Sequence, residues 1–276
     1  MPRIAVGEHH LFYLDAPDPT DAYPPIVLCA GLGYGAWFWH RLVPRLRPRR
    51  ALAFDNRGAG GSDKPAGPYQ VEQLSADVIG LLDALELACV DLVGHSLGGY
   101  VAQEVAARHP RRVRRLALLG TSSGGPRAIP PDPGALAVML ERSGDPASLF
   151  LRGLSLSTAP GLLERDPDLI AALRAYRAQE PVPALAYQAQ VAAGVSFALQ
   201  GAAQVAERLR AIRAPTLVLA GEHDQVTPPG NAALLAAGIA GARAQVLRGV
   251  GHLFPLEDAE ATAQALRAFF AEGQDG

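Results

Sequence analysis

The chain has 276 residues, 49% hydrophobic and only 19% charged, a balance that disordered chains lack, so its 29 Gly and 23 Pro are expected in the loops of a folded protein. That length allows one large domain or two small ones, and a formal charge of −2 lacks the basic footprint of a nucleic-acid binder. No uninterrupted apolar stretch approaches the roughly 18 residues of a membrane span, and residues 1–7 lack the apolar core of a signal peptide, so a cytoplasmic protein with no membrane partner is expected.

In chain order, Ile4–Val6, a turn at Gly7-Glu8 and His9–Leu14 predict a hairpin. The run Ile26–Ala30, ending at Gly31, is uninterruptedly apolar, as suits a strand buried on both faces of a parallel sheet. The same form recurs at Ala51–Phe54, Val90–Val93, Val113–Leu119 and Thr216–Ala220, and more weakly at Ala244–Leu247. Helical periodicity appears between them: Leu74, Val78, Leu81, Leu82 and Leu85 share one face over Gln73–Glu86, and Leu97, Val101 and Val105 do so up to Arg108. His109-Pro110 ends that second helix, and Ala259–Phe270 closes the chain as a third. Strands alternating with helices predict an α/β fold with a mostly parallel, doubly wound sheet. The long stretch between Leu119 and Thr216 has no comparable strand and is rich in Ala, Leu and Arg. It predicts a helical cap over residues 121–204, inserted after the sixth strand, with residues 1–120 and 205–276 forming the core domain. The run Arg111-Arg112-Val113-Arg114-Arg115 is expected as a solvated helix end, and Cys29 and Cys89 as buried thiols.

Val93-Gly94-His95-Ser96-Leu97-Gly98-Gly99 carries the chemistry. G-x-S-x-G alone is weak evidence, but here it follows an apolar strand and opens an amphipathic helix. A serine on so sharp a turn projects its hydroxyl from the sheet edge, and glycines two residues either side avoid collision; the plainer alternative is a helix N-cap serine. A serine nucleophile needs a base, and seven histidines compete. His9 and His10 fall in the hairpin, where surface placement is expected, His40 and His109 in or at the end of helices, and His95 beside the serine. His223 and His252 remain. His252 follows the last strand, on the sheet edge that carries Ser96, and is preferred as base, with Asp224 of Gly221-Glu222-His223-Asp224 orienting it. The backbone N–H groups of Leu97 and of Leu32, in the glycine-rich loop Gly31-Leu32-Gly33-Tyr34-Gly35, are the candidate oxyanion donors. Metal-ligand spacing, Walker loops and dinucleotide fingerprints are absent, so neither metal nor cofactor is expected.

These motifs resemble the α/β-hydrolase superfamily nearly end to end. The resemblance rests on Gly31-Leu32-Gly33 with Trp39, on Asp55-Asn56-Arg57-Gly58-Ala59-Gly60-Gly61-Ser62-Asp63-Lys64-Pro65, on the serine turn, on Gly221–Asp224 and on Gly251-His252. Within it, the stretches Pro68–Leu85 and Ala214 onward are most similar to bacterial esterases and 3-oxoadipate enol-lactonase-like hydrolases. Ala30 and Ala59 stand where many members have His. A backbone oxyanion donor survives the first change, whereas the loop's side-chain support must differ. Asp55 and Arg57 are read as loop-organising. Serine at position 96 excludes the related dehalogenases and epoxide hydrolases, which need a carboxylate there.

The expected activity is therefore hydrolysis of a carboxylic ester or lactone of a small molecule, through Ser96, His252 and Asp224 and an acyl-enzyme. Trp39, Met139, Phe150, Leu154, Tyr187 and Phe197 are candidate substrate contacts, with Tyr176 beside them, although core packing explains each as well. Arg152, Arg174 and Arg177 are candidates for an acidic substrate, though solvation is the plainer expectation. The alternatives are carbon–carbon bond hydrolysis or perhydrolysis with the same three residues, and a hydrolase-like receptor that signals through a mobile cap. The oligomeric state is left open.

Overall fold

The apolar runs form one eight-stranded sheet in a computed structural model that describes residues 2–18, 23–140 and 145–272. Its strands are β1 (Arg3–Val6), β2 (His9–Ala16), β3 (Ile26–Cys29), β4 (Ala51–Phe54), β5 (Val90–His95), β6 (Val113–Leu119), β7 (Thr216–Gly221) and β8 (Arg243–Leu247). They lie in the order β1-β2-β4-β3-β5-β6-β7-β8. β1 and β2 make the expected antiparallel hairpin, with Val6 opposite His9, and β2 joins β4 antiparallel. Every pairing from β4 to β8 is parallel. The winding direction reverses at β3, which lies between β4 and β5, so the loops after β3 and β5 open side by side.

Every residue of β3, β4, β5 and β7 is buried, which explains their unbroken apolar character. Four of the five residues of β8 are exposed, because β8 is an edge strand. On one face pack α1 (Val71–Ala84), α2 (Leu97–Arg108) and α9 (Gly230–Gly238), burying Leu74, Val78, Leu81, Val101, Val105 and Leu235 in one apolar cluster. On the other lie α10 (Phe254–Glu257) and α11 (Ala259–Ala271), with Leu266 and Phe270 beside Phe38 and Trp39. α1 begins two residues earlier than its apolar periodicity indicates, because Gln70 and Gln73 form a reciprocal cap at its start.

Among the described residues, six helices connect β6 to β7: α3 (Pro133–Leu140), α4 (Pro146–Ser157), α5 (Leu162–Arg165), α6 (Pro167–Gln179), α7 (Ala184–Ala198) and α8 (Ala202–Ala211). Asp145 and Asp166 cap α4 and α6, accepting the N–H of Ser148 and of Leu169 at 2.9 Å. α7 buries Ala186, Ala189, Gln190, Ala193 and Phe197 on one stripe, whereas α8 packs against α2.

Three polar expectations are corrected. The arginine run is not a freely solvated helix end. Arg112 donates to the carbonyls of Leu87 and Ala88 at 3.0 Å, and Arg114 Nε donates at 2.8 Å to Asp91, whose side chain has no exposure. Arg49 completes that cluster at 2.5 Å, since a carboxylate buried within a strand requires cations beside it. His9 is half-buried, its Nε2 3.1 Å from the Asp77 carboxylate, while His10 stays exposed. Cys29 is buried and burial pushes its thiol up to about 12, but Cys89 is only half-buried. Among the described residues, no helix is long and apolar enough to cross a membrane.

Candidate active site

β5 delivers the chain to Ser96, which adopts φ +55° and ψ −119° before α2 begins at Leu97. A side-chain-bearing residue rarely occupies that region, and here backbone contacts hold it. The Ser96 N–H donates to the Leu119 carbonyl at 2.9 Å, while the Ser96 carbonyl accepts the Gly99 N–H and the Thr121 hydroxyl, each at 2.9 Å. A Cβ on Gly94 would meet the Gly98 carbonyl, and one on Gly98 the Cys29 carbonyl. Neither obstacle is a side chain that can turn aside, so the two glycines of the motif are required by backbone meeting backbone.

Asp224 follows β7 and His252 follows β8, so both lie at the same carboxyl edge of the sheet as Ser96. His252 Nδ1 and Asp224 Oδ2 are 2.7 Å apart, with the histidine side chain 6% exposed and the carboxylate fully covered. Asp224 Oδ1 accepts the N–H groups of Val226 at 2.9 Å and Thr227 at 2.6 Å. With Oδ1 so occupied, Asp224 Oδ2 is left to accept a hydrogen bond from the His252 Nδ1–H, the tautomer in which Nε2 carries the free lone pair. His223, the competing histidine, is exposed and lies 3.8 Å from Glu222. His95 packs under the site: its ring stacks on Phe38 at 4.7 Å and its Nε2 donates to the His252 carbonyl at 2.9 Å. Burial pushes the His95 imidazole well below its usual range, and nearby His252 adds to that shift, so His95 is neutral.

The loop after β3 faces this pair and is held from several sides. Asp55 accepts the Ala36 N–H at 2.5 Å and the Gly61 N–H at 2.7 Å, joining the loops after β3 and β4. Its burial pushes the carboxyl up to about 6 despite those two bonds. Arg57 pairs with Asp77 at 2.5 Å. From α7, the buried Gln190 accepts the Gly33 N–H and donates to the Arg57 carbonyl, both at 2.9 Å. From α6, the Tyr176 hydroxyl accepts the Gly35 N–H at 3.2 Å. Leu32 lines the cavity beside Ser96, and Leu97 is the first residue of α2, where helix geometry leaves N–H groups without an intrahelical partner.

A cavity of about 470 Å³ opens over Ser96 and His252. Met139, Phe150, Leu154 and Tyr187 line it as expected, together with Tyr34 and Leu149. Trp39 and Phe197 do not. Trp39 is wholly buried among core aromatics, and Phe197 is sandwiched between Tyr100 and the Arg208 guanidinium, 4.3 Å and 3.9 Å from its ring. Tyr176 is likewise buried, stacked on Trp37 at 4.6 Å. Arg174 lies over Phe150 on the exposed side of α6. Arg177, expected to be solvated, instead lines the cavity, with its guanidinium 4.3 Å over the Tyr34 ring and bonded to the Gly33 carbonyl. It is the one fixed charge among the described lining residues, and no Asp or Glu stands with it. Gln190 escaped the sequence reading; its one trace there is a polar side chain on an otherwise apolar stripe of α7. Among the described residues no cluster of His, Cys, Asp or Glu is placed to hold a metal ion.

The chain is similar to known proteins over most of its length. The alpha/beta hydrolase fold family matches residues 24–259. The chain is 32% identical over 265 residues to 2-hydroxymuconate semialdehyde hydrolase of a Pseudomonas species (strain CF600), covering 90% of this chain and 87% of that one. It is 26% identical over 248 residues to 3-oxoadipate enol-lactonase 2 of Acinetobacter baylyi, covering 89% and 88%. The crystal structure of the enol-lactonase from Burkholderia xenovorans LB400 superposes with a TM-score of 0.80 at 31% identity, covering 98% of this chain and all of that one.

Proposed function

The chain belongs to the alpha/beta hydrolase fold family and is a hydrolase, and from that premise we propose that it is a serine hydrolase cleaving a carboxylic ester or lactone of a small molecule. One observation carries the reading: His252, held at 2.7 Å by the buried Asp224, shares a single cavity with a serine held at positive φ.

In this mechanism Ser96 Oγ attacks the carbonyl carbon while His252 Nε2 takes its proton. Asp224 holds the imidazole by Nδ1 and stabilises the imidazolium that forms. The N–H groups of Leu32 and Leu97 receive the oxyanion, and such donors contribute about 3–4 kcal/mol each to transition-state stabilisation. His252 then gives its proton to the departing alkoxide, which in a lactone stays attached to the acyl group. Water, deprotonated by the same nitrogen, frees the acyl group. The helices between β6 and β7, read as a cap over residues 121–204, supply Met139, Phe150, Leu154 and Tyr187 as a largely apolar wall. Arg177 is the group in that wall that favours a substrate carrying a carboxylate.

A second reading, hydrolysis of a carbon–carbon bond in a dienoate by the same residues, is favoured by the likeness to 2-hydroxymuconate semialdehyde hydrolase. Relative turnover of short esters, enol-lactones and dienoates separates the two. For the shared nucleophile, Ser96→Ala is expected to lower p-nitrophenyl acetate turnover by about 10⁴-fold while the fold is retained. Unchanged turnover by that variant contradicts the proposal.

A further inference from the structure

The loop that carries His252 is fastened to two different parts of the molecule. On the sheet side, the His223 N–H donates to the Val250 carbonyl at 2.9 Å, and His95 holds the His252 carbonyl. On the helical side, the Leu253 N–H donates to the Ser157 carbonyl, the last residue of α4, at 3.0 Å. A Cβ on Gly251 would meet the Thr158 backbone, so the two chains run in direct contact there.

Glu257, at the end of α10, closes this junction. Its Oε2 accepts the Ala159 N–H at 2.8 Å and the Gly251 N–H at 3.1 Å, and Oε1 also lies 3.1 Å from the Gly251 N–H. One carboxylate oxygen is thus shared between the backbone that follows α4 and the backbone immediately before His252. Burial pushes the Glu257 carboxyl above its ordinary value, and the two N–H donors and His252 pull it back. Asp224 is the like charge facing it, and Arg41 stitches the same short helix to α6, donating to the Leu256 carbonyl at 3.0 Å and to Asp166 at 2.7 Å. α4 itself supplies Phe150, Leu154 and Ser157 to the cavity wall.

We propose that Glu257 is a positioning residue that sets the placement of His252 and couples it to the wall of the cavity formed by α4. Three consequences follow from a shared oxygen at this point. The base is registered against the wall that a bound substrate touches. The negative charge lies where it favours the imidazolium of the transition state. Removing the carboxylate frees both backbones together. The proposal rests on the serine-hydrolase reading for its rate effects but not for its structural ones.

The test compares Glu257→Gln and Glu257→Ala in the full chain, by p-nitrophenyl ester kinetics against pH and by amide hydrogen exchange. Displacement of a base by about 1 Å costs roughly 10²-fold, so Glu257→Ala is expected to lower kcat by about 10- to 100-fold. Its KM should stay within about threefold of wild type, because no cavity-lining side chain is altered. Exchange is expected to speed up at both 157–159 and 250–253. Glu257→Gln keeps an acceptor at the shared position and is expected to restore slow exchange and most of kcat. Its acid limb of kcat/KM should move to lower pH, because the charge favouring the imidazolium is gone. Wild-type kcat and exchange in Glu257→Ala overturn the proposal. If that variant does not fold, an unmoved acid limb in Glu257→Gln does so instead. A wild-type chain that hydrolyses no ester counts against the serine-hydrolase reading alone, and the exchange data then decide the coupling.

Discussion

The carboxyl edge of the sheet and the helices between β6 and β7 face each other across one cavity, but they are built on different terms. At the edge, positions are dictated by backbone meeting backbone and by buried polar pairs: Gly98 against Cys29, Ser96 at positive φ, His252 on Asp224. The helices are looser. Leu140, Leu185 and Leu199 are 53%, 80% and 78% exposed, and several of the ties to the edge are one or two polar bonds, from Gln190, Tyr176 and Ala159. On the proposed mechanism, the edge therefore tolerates little change without losing the reacting geometry, whereas the helical wall can vary in side chain while the chemistry beneath it persists. Such a division suits a family whose members share a reaction type and differ in substrate.

The sharpest way to break that contrast is at the pair itself. Asp224→Asn presents an amide to the Nδ1–H and is expected to lower kcat by about 10³- to 10⁴-fold with little change in fold, measured on the best ester. A loss below tenfold means the edge is not the constraint described here. Paired glycine substitutions compare the regions directly. Gly98→Ala drives a methyl into the Cys29 carbonyl and is expected to cost at least about 3 kcal/mol in urea unfolding. Gly153→Ala, within α4, meets only Val138 Cγ1 at 3.7 Å and is expected to stabilise by up to about 1 kcal/mol.

Asp55 extends the comparison to pH. Its folded carboxyl titrates near 6 against an ordinary 3.8, so between those values the native state keeps a proton that the unfolded chain has lost. Stability from this group therefore falls as pH rises through that window, by at most about 3 kcal/mol at 1.36 kcal/mol per pH unit. Urea unfolding of wild type against Asp55→Asn at pH 4.5 and 7.5 reads the difference; a constant difference shows that the two N–H bonds fully offset burial. The smallest effect belongs to the helical wall. Arg177→Met is expected to lower kcat/KM about tenfold for an ester bearing a carboxylate and little for a neutral one of equal size.

What was legible in the sequence follows the same division. Strands buried on both faces announce themselves as unbroken apolar runs, and β8 was faint because an edge strand exposes most of its residues. The serine turn was legible because its glycines answer to local backbone geometry. Ser96 and His252 line one cavity, with Asp224 bonded to His252 beside it, because parallel strands end on one edge. The wall was harder to read. Trp39 and Phe197 are large apolar residues whether they line a pocket or fill a core, and only packing assigns them to the core. Arg177 differs from Arg174 in which side of α6 meets the Gly33 loop, a tertiary matter. The pairing of Arg114 with Asp91 depends on strand register between β5 and β6, and Glu257 on two loops distant in sequence. Neither leaves a local pattern.

The central claim is that Ser96 is an activated nucleophile, and covalent labelling tests it most directly. Wild-type protein treated with a fluorophosphonate is expected to gain one adduct, mapped by peptide mass spectrometry to Ser96, with labelling lost in Ser96→Ala and strongly slowed in His252→Ala. No adduct, or an adduct on another residue that persists in Ser96→Ala, contradicts the account.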